Sequence, residues 1–247
     1  MNNLLIDIGN SVIKVGEGGS DNPNAKLIKR FPYSKKSFKK DFVKNFKLNK
    51  MKSFDKVGIS LLKSKSHEKI FLSEYFIKSA SKKPVFIHRE MKMPIKIDYS
   101  KSLGNDRICN AAAAYKILKK TNILIIDLGT ATTYTLITNG TLIGGLISPG
   151  IKTSLDSLTD KTSLPSVRLS YPKKLINNNT LDNITAGVLY QSLFTVERII
   201  MEVRKKYKNL YVIATGGNSQ LVFKKTKLIN VVDKNLVLKG INIIISS

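Results

Sequence analysis

One phrase occurs twice in this chain, and it restricts the fold more than any other feature. LLIDIGNSVIKVG runs from Leu4 to Gly16, and ILIIDLGTATTYTLI runs from Ile123 to Ile137. Each is an apolar strand, an Asp, a Gly turn and a second strand rich in polar or β-branched residues. Asp7 and Asp127, like Gly9 and Gly129, are separated by the same 120 positions (127 − 7 and 129 − 9). An Asp at the end of a buried strand holds a carboxylate beside the exposed backbone N–H groups of the turn. Glycine lets a phosphate approach that backbone closely. Either turn alone reads equally as an ordinary hairpin; the repeat points to two phosphate-gripping turns.

The surroundings of the two phrases repeat as well. Strands are expected over Asn3–Ile8, Val12–Val15 and the AKLIKRF stretch, with Gly16–Asn24 as a turn. Phe38, Phe42 and Phe46 then share one helical face, a short KVGIS strand and a second amphipathic helix follow, and KPVFIH reads as a strand. The order restarts with strands at Ile123–Asp127, Thr132–Thr138 and Leu142–Ile147. A helix over Ile151–Leu158, a long one over Ile184–Tyr207, the LYVIAT strand, a GGN turn and a LINVV strand complete it. The expected fold class is α/β, with duplicated ribonuclease H-like domains of mixed β-sheets flanked by helices. The expected domains are residues 1–108 and 109–247, with a nucleotide cleft between them.

Three further stretches can carry chemistry. LGNDRICNAAAAY sets Asp106 and Arg107 at the start of an alanine-rich helix. The dipole there stabilises a carboxylate, and Arg suits an anionic partner. An alcohol proton acceptor beside an anion holder fits phosphoryl transfer to an alcohol. GGLISPG (Gly144–Gly150) and GGN (Gly216–Asn218) each allow close backbone approach before a helix, or serve only as turns. Asp7 and Asp127 are candidates to hold Mg²⁺, which takes few carboxylates alongside waters and phosphates.

Composition excludes several classes. The charge is +25, from 42 basic and 17 acidic residues, but only six of the basic residues are Arg. Lysines are spread through nearly every segment, so no focused nucleic-acid footprint is read and specific nucleic-acid binding is not expected. Such a field instead concentrates anionic small molecules. The one cysteine, Cys109, permits no intramolecular disulfide and no zinc-finger spacing. It reads as a buried small residue; His67 and His88 have no metal-type spacing. Asp7 and Lys14 interrupt the early apolar run, and no apolar stretch approaches the ~20 residues of a membrane span. A cytoplasmic location is expected.

In their order, these phrases resemble the type III pantothenate kinases of the acetate/sugar kinase, Hsp70 and actin superfamily. The likeness covers DIGNS, GNDR, DLGTATT, GGLISPG, TSLP at Thr162–Pro165, NTLDNITAG at Asn179–Gly187 and the late TGGN. It implies ATP-dependent phosphorylation of pantothenate to 4'-phosphopantothenate, the first step of coenzyme A biosynthesis. By resemblance, Asp7, Ile8, Gly9, Asn10, Ser11, Val12, Ile13 and Lys14 match the first ATP-binding stretch, and Gly129 and Thr130 the second. Asp127 matches the ligand of a monovalent cation, potassium or ammonium. Gly104, Asn105, Asp106 and Arg107 match the pantothenate loop, with Asp106 as catalytic proton acceptor. Tyr99 and Thr180 match further substrate contacts, and a homodimer is implied. Ser11 stands where Thr is commoner, Asn105 where a small or apolar residue is usual, and Tyr99 lies closer to Gly104 than in many members. The alternative reading is a nucleotide-binding regulatory or transcriptional accessory protein on the same fold.

Overall fold

The computed structural model describes residues 2–46, 53–61 and 66–247, which group into two compact units. The first comprises Met1–Lys119, Gly140–Leu142 and Asn235–Ser247; the second comprises Lys120–Asn139 and Ile143–Lys234.

In the first unit, β1 (Asn2–Ile8) is buried almost end to end, so it reads as a continuous apolar run rather than an alternation. It pairs antiparallel with β2 (Val12–Gly19), which pairs antiparallel with β3 (Ala25–Pro32). On its other side β1 runs parallel to β4 (Lys56–Leu61), which is parallel to the short β5 (Val85–Phe86). The strand order is β3-β2-β1-β4-β5. Leu4, Ile6 and Ile8 point to one face, where Phe38 and Phe42 of α1 (Phe38–Asn45) and Leu72 and Phe76 of α2 (Ser66–Ala80) join them in one core. The expected Phe stripe is therefore a packing face, extended by edge-on contacts from Phe71 and Tyr75.

The opposite face takes α3 (Asn105–Leu118) and the C-terminal α7 (Leu236–Ser246). Here the sequence reading needs correction. The Gly16–Asn24 turn is shorter than expected, because β2 continues through Gly19. Glycine in a strand often marks close approach of another element, and that is the case at Gly16, Gly18 and Gly58. A Cβ on them would lie 2.8 Å from Leu238, 2.7 Å from Asn242 and 2.6 Å from Ile241 respectively. The sheet is thinned where α7 lies on it. Asn3 Nδ2 donates to Asn242 Oδ1 at 2.9 Å, and Asn242 Nδ2 donates to the carbonyls of Gly19 and Asn22. The boundary expected between residues 108 and 109 falls inside α3, and the C-terminal helix groups with the first unit.

The second unit repeats the topology. β7 (Asn122–Leu128) pairs antiparallel with β8 (Ala131–Thr138), next to β9 (Thr141–Pro149), and parallel with β10 (Tyr211–Thr215), next to β11 (Val231–Val232). The order β9-β8-β7-β10-β11 matches β3-β2-β1-β4-β5 strand for strand. The duplicated ribonuclease H-like fold follows from that correspondence. One face of the sheet packs Leu124, Ile126 and Leu128 against α4 (Ile151–Asp160) and the long α5 (Thr180–Lys206), with α6 (Ser219–Phe223) nearby. Of the expected LINVV strand, only Val231–Val232 pairs. The short β6 (Lys96–Ile97) runs parallel to Thr141–Leu142 and belongs to the first unit. Among the described residues, no helix is long and apolar enough to cross a membrane.

Candidate active site

The end of β1 places Asp7 on the face covered by α3 and α7. It is 6% exposed. Lys14 stands opposite on β2, its Nζ 3.7 Å from Asp7 Oδ2, and Ser60 is the register neighbour on β4. The turn between the strands is closed by Gly9 N–H donating to the Val12 carbonyl at 3.1 Å. Tyr33 fastens it from β3's end: its hydroxyl donates to the Gly9 carbonyl at 2.6 Å, and its N–H to the Ser11 carbonyl at 3.2 Å. Burial pushes the Tyr33 phenol up to about 12, with the charges of Glu68 and Asp7 adding to it. It therefore remains a donor at any physiological pH. Asn10 and Ser11 are exposed at the tip, whereas Ile8 and Ile13 are core residues. The last two can meet a nucleotide only through their backbone.

The first turn of α3 completes this unit's cluster. Gly104 precedes the helix, and a Cβ there would collide with Asp106 Oδ1. The backbone angles there are extended and open to any residue, so a side chain at this position would press on the Asp106 carboxylate rather than on the backbone. Asp106 Oδ1 accepts from the Arg107 N–H at 2.9 Å. Arg107 is 5% exposed, and its guanidinium lies 5.2 Å from the centre of the Tyr99 ring, within cation–π range. Asn105 anchors the loop on one side. Its Nδ2 donates to the Leu61 carbonyl at 2.8 Å, tying the start of α3 to the end of β4. Tyr99, Gly104, Asn105, Asp106 and Arg107 thus form one continuous group in the first unit.

Cys109 links the two carboxylates. Burial holds its thiol well above the ordinary range, and the charges of Asp7 and Asp106 both add to this, while a Ser60 hydrogen bond opposes it. Asp7 and Asp106 are therefore both electrostatic neighbours of one thiol. A thiol reagent is expected to leave Cys109 untouched in the folded protein and to label it on unfolding. Rapid labelling of native protein would contradict this burial.

In the second unit, Asp127 ends β7 as Asp7 ends β1. Thr133 and Thr215 are its register neighbours, so a hydroxyl residue faces the Asp from the parallel strand in both units. Three turns meet behind it. Gly129 N–H donates to the Ala131 carbonyl at 3.1 Å; the Thr130 carbonyl accepts from Gly150 N–H at 3.1 Å and from Thr153 Oγ1 at 2.6 Å. A Cβ at Gly150 would lie 2.5 Å from the Thr130 carbonyl oxygen. Gly216 has φ of +91°, and a Cβ on it would lie 2.5 Å from Asp127 Oδ1. The SPG and GGN turns thus both frame the DLGT turn. Thr180 is exposed at the first turn of α5, where the Asn179 side chain caps the helix by accepting from Asp182 N–H at 2.9 Å. Tyr33, Ser60 and Thr153 were invisible in the sequence, because each acts through a fold contact and carries no motif.

The two turns, each with a rigid carboxylate, and the Asp–Arg helix start match a single family over most of the chain. The model of the type III pantothenate kinase family matches residues 3–202. The chain belongs to the type III pantothenate kinase family. A type III pantothenate kinase of Petrotoga mobilis is 39% identical over 147 residues, 59% of this chain and 57% of that protein. The chain thus spans somewhat over half the length of that curated relative. Among solved structures, a conserved Campylobacter jejuni protein assigned to the Baf family of transcriptional activators aligns over 98% of this chain and 96% of its own. The TM-score is 0.59 at 21% identity. The ethanolamine utilization protein EutJ of Carboxydothermus hydrogenoformans aligns over 99% of this chain and 90% of its own, with a TM-score of 0.52 at 13% identity. These two likenesses are of fold alone.

Proposed function

We propose that this chain transfers the γ-phosphoryl group of ATP to the primary hydroxyl of pantothenate, yielding 4'-phosphopantothenate and ADP. The observation that carries the reading is the start of α3, where Asp106, the buried Arg107 and the Tyr99 ring stand together behind Gly104. Membership of the kinase family supports the choice of acceptor.

In this reading Asp106 orients the hydroxyl and takes its proton as the oxygen bonds to phosphorus and the bond to ADP breaks. Asp106 Oδ1 accepts from the Arg107 backbone N–H, which holds the carboxylate at the start of α3. Arg107 offers guanidinium donors to the substrate carboxylate, already oriented by the Tyr99 face. Thr180 adds a hydroxyl to the acceptor. The backbone and side chains of Gly9, Asn10 and Ser11, with Lys14, bind ATP phosphates, and Gly129 and Thr130 do the same in the second unit. Since phosphoryl transfer is mostly positioning and charge neutralisation, rigid turns are what the reaction requires.

The residues present fit a divalent ion carried by the nucleotide. Among the described residues no three His, Cys, Asp or Glu side chains gather at one point. Mg²⁺ bound mainly by phosphates and water needs only one or two carboxylates, and Asp7 is buried beside the Gly9 turn. When bound, the ion neutralises charge developing on the phosphates. Asp127, crowded by the Gly216 turn, is the proposed ligand of the potassium or ammonium ion, and a homodimer and a cytoplasmic location belong to the same reading. ADP release by the purified protein with ATP, Mg²⁺ and potassium is expected to require pantothenate. Release that ignores pantothenate, or none at all, would overturn the assignment.

A further inference from the structure

Beyond this reading lies a residue that neither the motifs nor the family likeness assigns. Arg89 follows β5 and sits in no motif, ten positions before Tyr99. Its Nη1 donates to two consecutive carbonyls, Tyr99 at 3.1 Å and Ser100 at 3.0 Å. Strand-type pairing ends with Asp98 N–H donating to the Leu142 carbonyl. Beyond that, the loop closes on itself through a 3.3 Å bond from Leu103 N–H to the Ser100 carbonyl and a 2.6 Å contact between the Ser100 and Ser102 hydroxyls. Tyr99 lies five positions before Gly104 (104 − 99), in the segment that leads into α3.

We infer that Arg89 is a positioning residue for the acceptor site. It fixes the backbone of Tyr99 and Ser100, so that the Tyr99 ring is held as a platform for the Arg107 guanidinium 5.2 Å away. Arg89 acts through Tyr99, and its guanidinium suits this task because one rigid, permanently charged group can serve two carbonyls. Losing it releases the ring and with it the orientation of Arg107. The two carbonyls lie at a partly exposed position where water can replace the lost donor, so global stability should hardly change.

This inference rests on the proposed kinase activity, and the test separates the two. Arg89→Met is expected to raise the KM for pantothenate by roughly tenfold, the loss of about one charge-assisted hydrogen bond. The kcat and the KM for ATP should stay near wild type, as should the melting temperature. Arg89→Lys, which keeps the charge but not the fork, should recover part of the loss. Independently of any substrate, hydrogen exchange in residues 98–104 of Arg89→Met should be faster than in wild type, with the rest of the chain unchanged. An unchanged KM, or unchanged exchange in that segment, would overturn the role of Arg89. If wild-type protein does not phosphorylate pantothenate, the kinase reading fails, and the exchange measurement alone decides whether Arg89 fastens the loop.

Discussion

Asp106→Asn is expected to lower pantothenate-dependent turnover by roughly 10²–10⁴-fold, the range for loss of a positioned proton acceptor, while ATP still binds. The isosteric amide keeps an oxygen where Asp106 Oδ1 now accepts from the Arg107 N–H, so the start of α3 should stay in place. What disappears is the basic oxygen. Turnover and ATP binding measured on the same preparation separate the roles. Retained turnover would remove Asp106 as proton acceptor. Loss of ATP binding would place it in the nucleotide site instead.

The second large effect is expected at a residue that belongs to no motif. Gly240→Ala should destabilise the protein by about 3 kcal/mol, the upper part of the range for overpacking a core. Alanine in place of glycine within a helix would ordinarily stabilise by about 1 kcal/mol, so the predicted sign is reversed. The reason is the crossing of α7 over α3. A Cβ at Gly240 would run into the carbonyl of Cys109, on a helix whose residues Ala111 to Ala114 are all fully buried. Because α3 carries Asp106 and Arg107, forcing the helices apart should also cost turnover. Gly187→Ala on α5 provides the contrast, since nothing lies within 4 Å of the added methyl group. It should be neutral or slightly stabilising. Chemical denaturation of both variants checks the pair, and a Gly240→Ala protein as stable as wild type would refute the crossing argument.

Much of the architecture was legible because strand and turn chemistry is local. Asp7–Gly9 and Asp127–Gly129 announced two equivalent hairpins at one offset, and the same strand order in both units is the consequence. The GNDR stretch was equally readable, since an alanine-rich helix preceded by glycine puts its first-turn Asp at the tip. Other features depend on which elements meet. Gly16 and Gly18 read as turn residues, yet they are strand positions emptied of side chains so that Leu238 and Asn242 can approach. The C-terminal LVLKGINIIIS is β-branched and gives no helical signal by propensity, but burial against β1, β2, β4 and α3 makes it α7. Arg89 and Tyr33 belong to the same class. Each is an unremarkable polar residue in sequence, and each acquires its role only when the fold brings a loop carbonyl within reach.

The large positive charge fits this picture without a nucleic-acid partner. ATP and pantothenate are both anionic, and a basic surface raises their local concentration. If that is its main effect, added salt should weaken substrate capture and leave the chemical step alone.

The central claim is tested most directly by the mass of pantothenate recovered after incubation with the purified protein, ATP, Mg²⁺ and potassium. The account predicts pantothenate heavier by one phosphoryl group, formed in step with ADP and absent with Asp106→Asn. Pantothenate recovered unchanged, under conditions where the protein binds ATP, would contradict it.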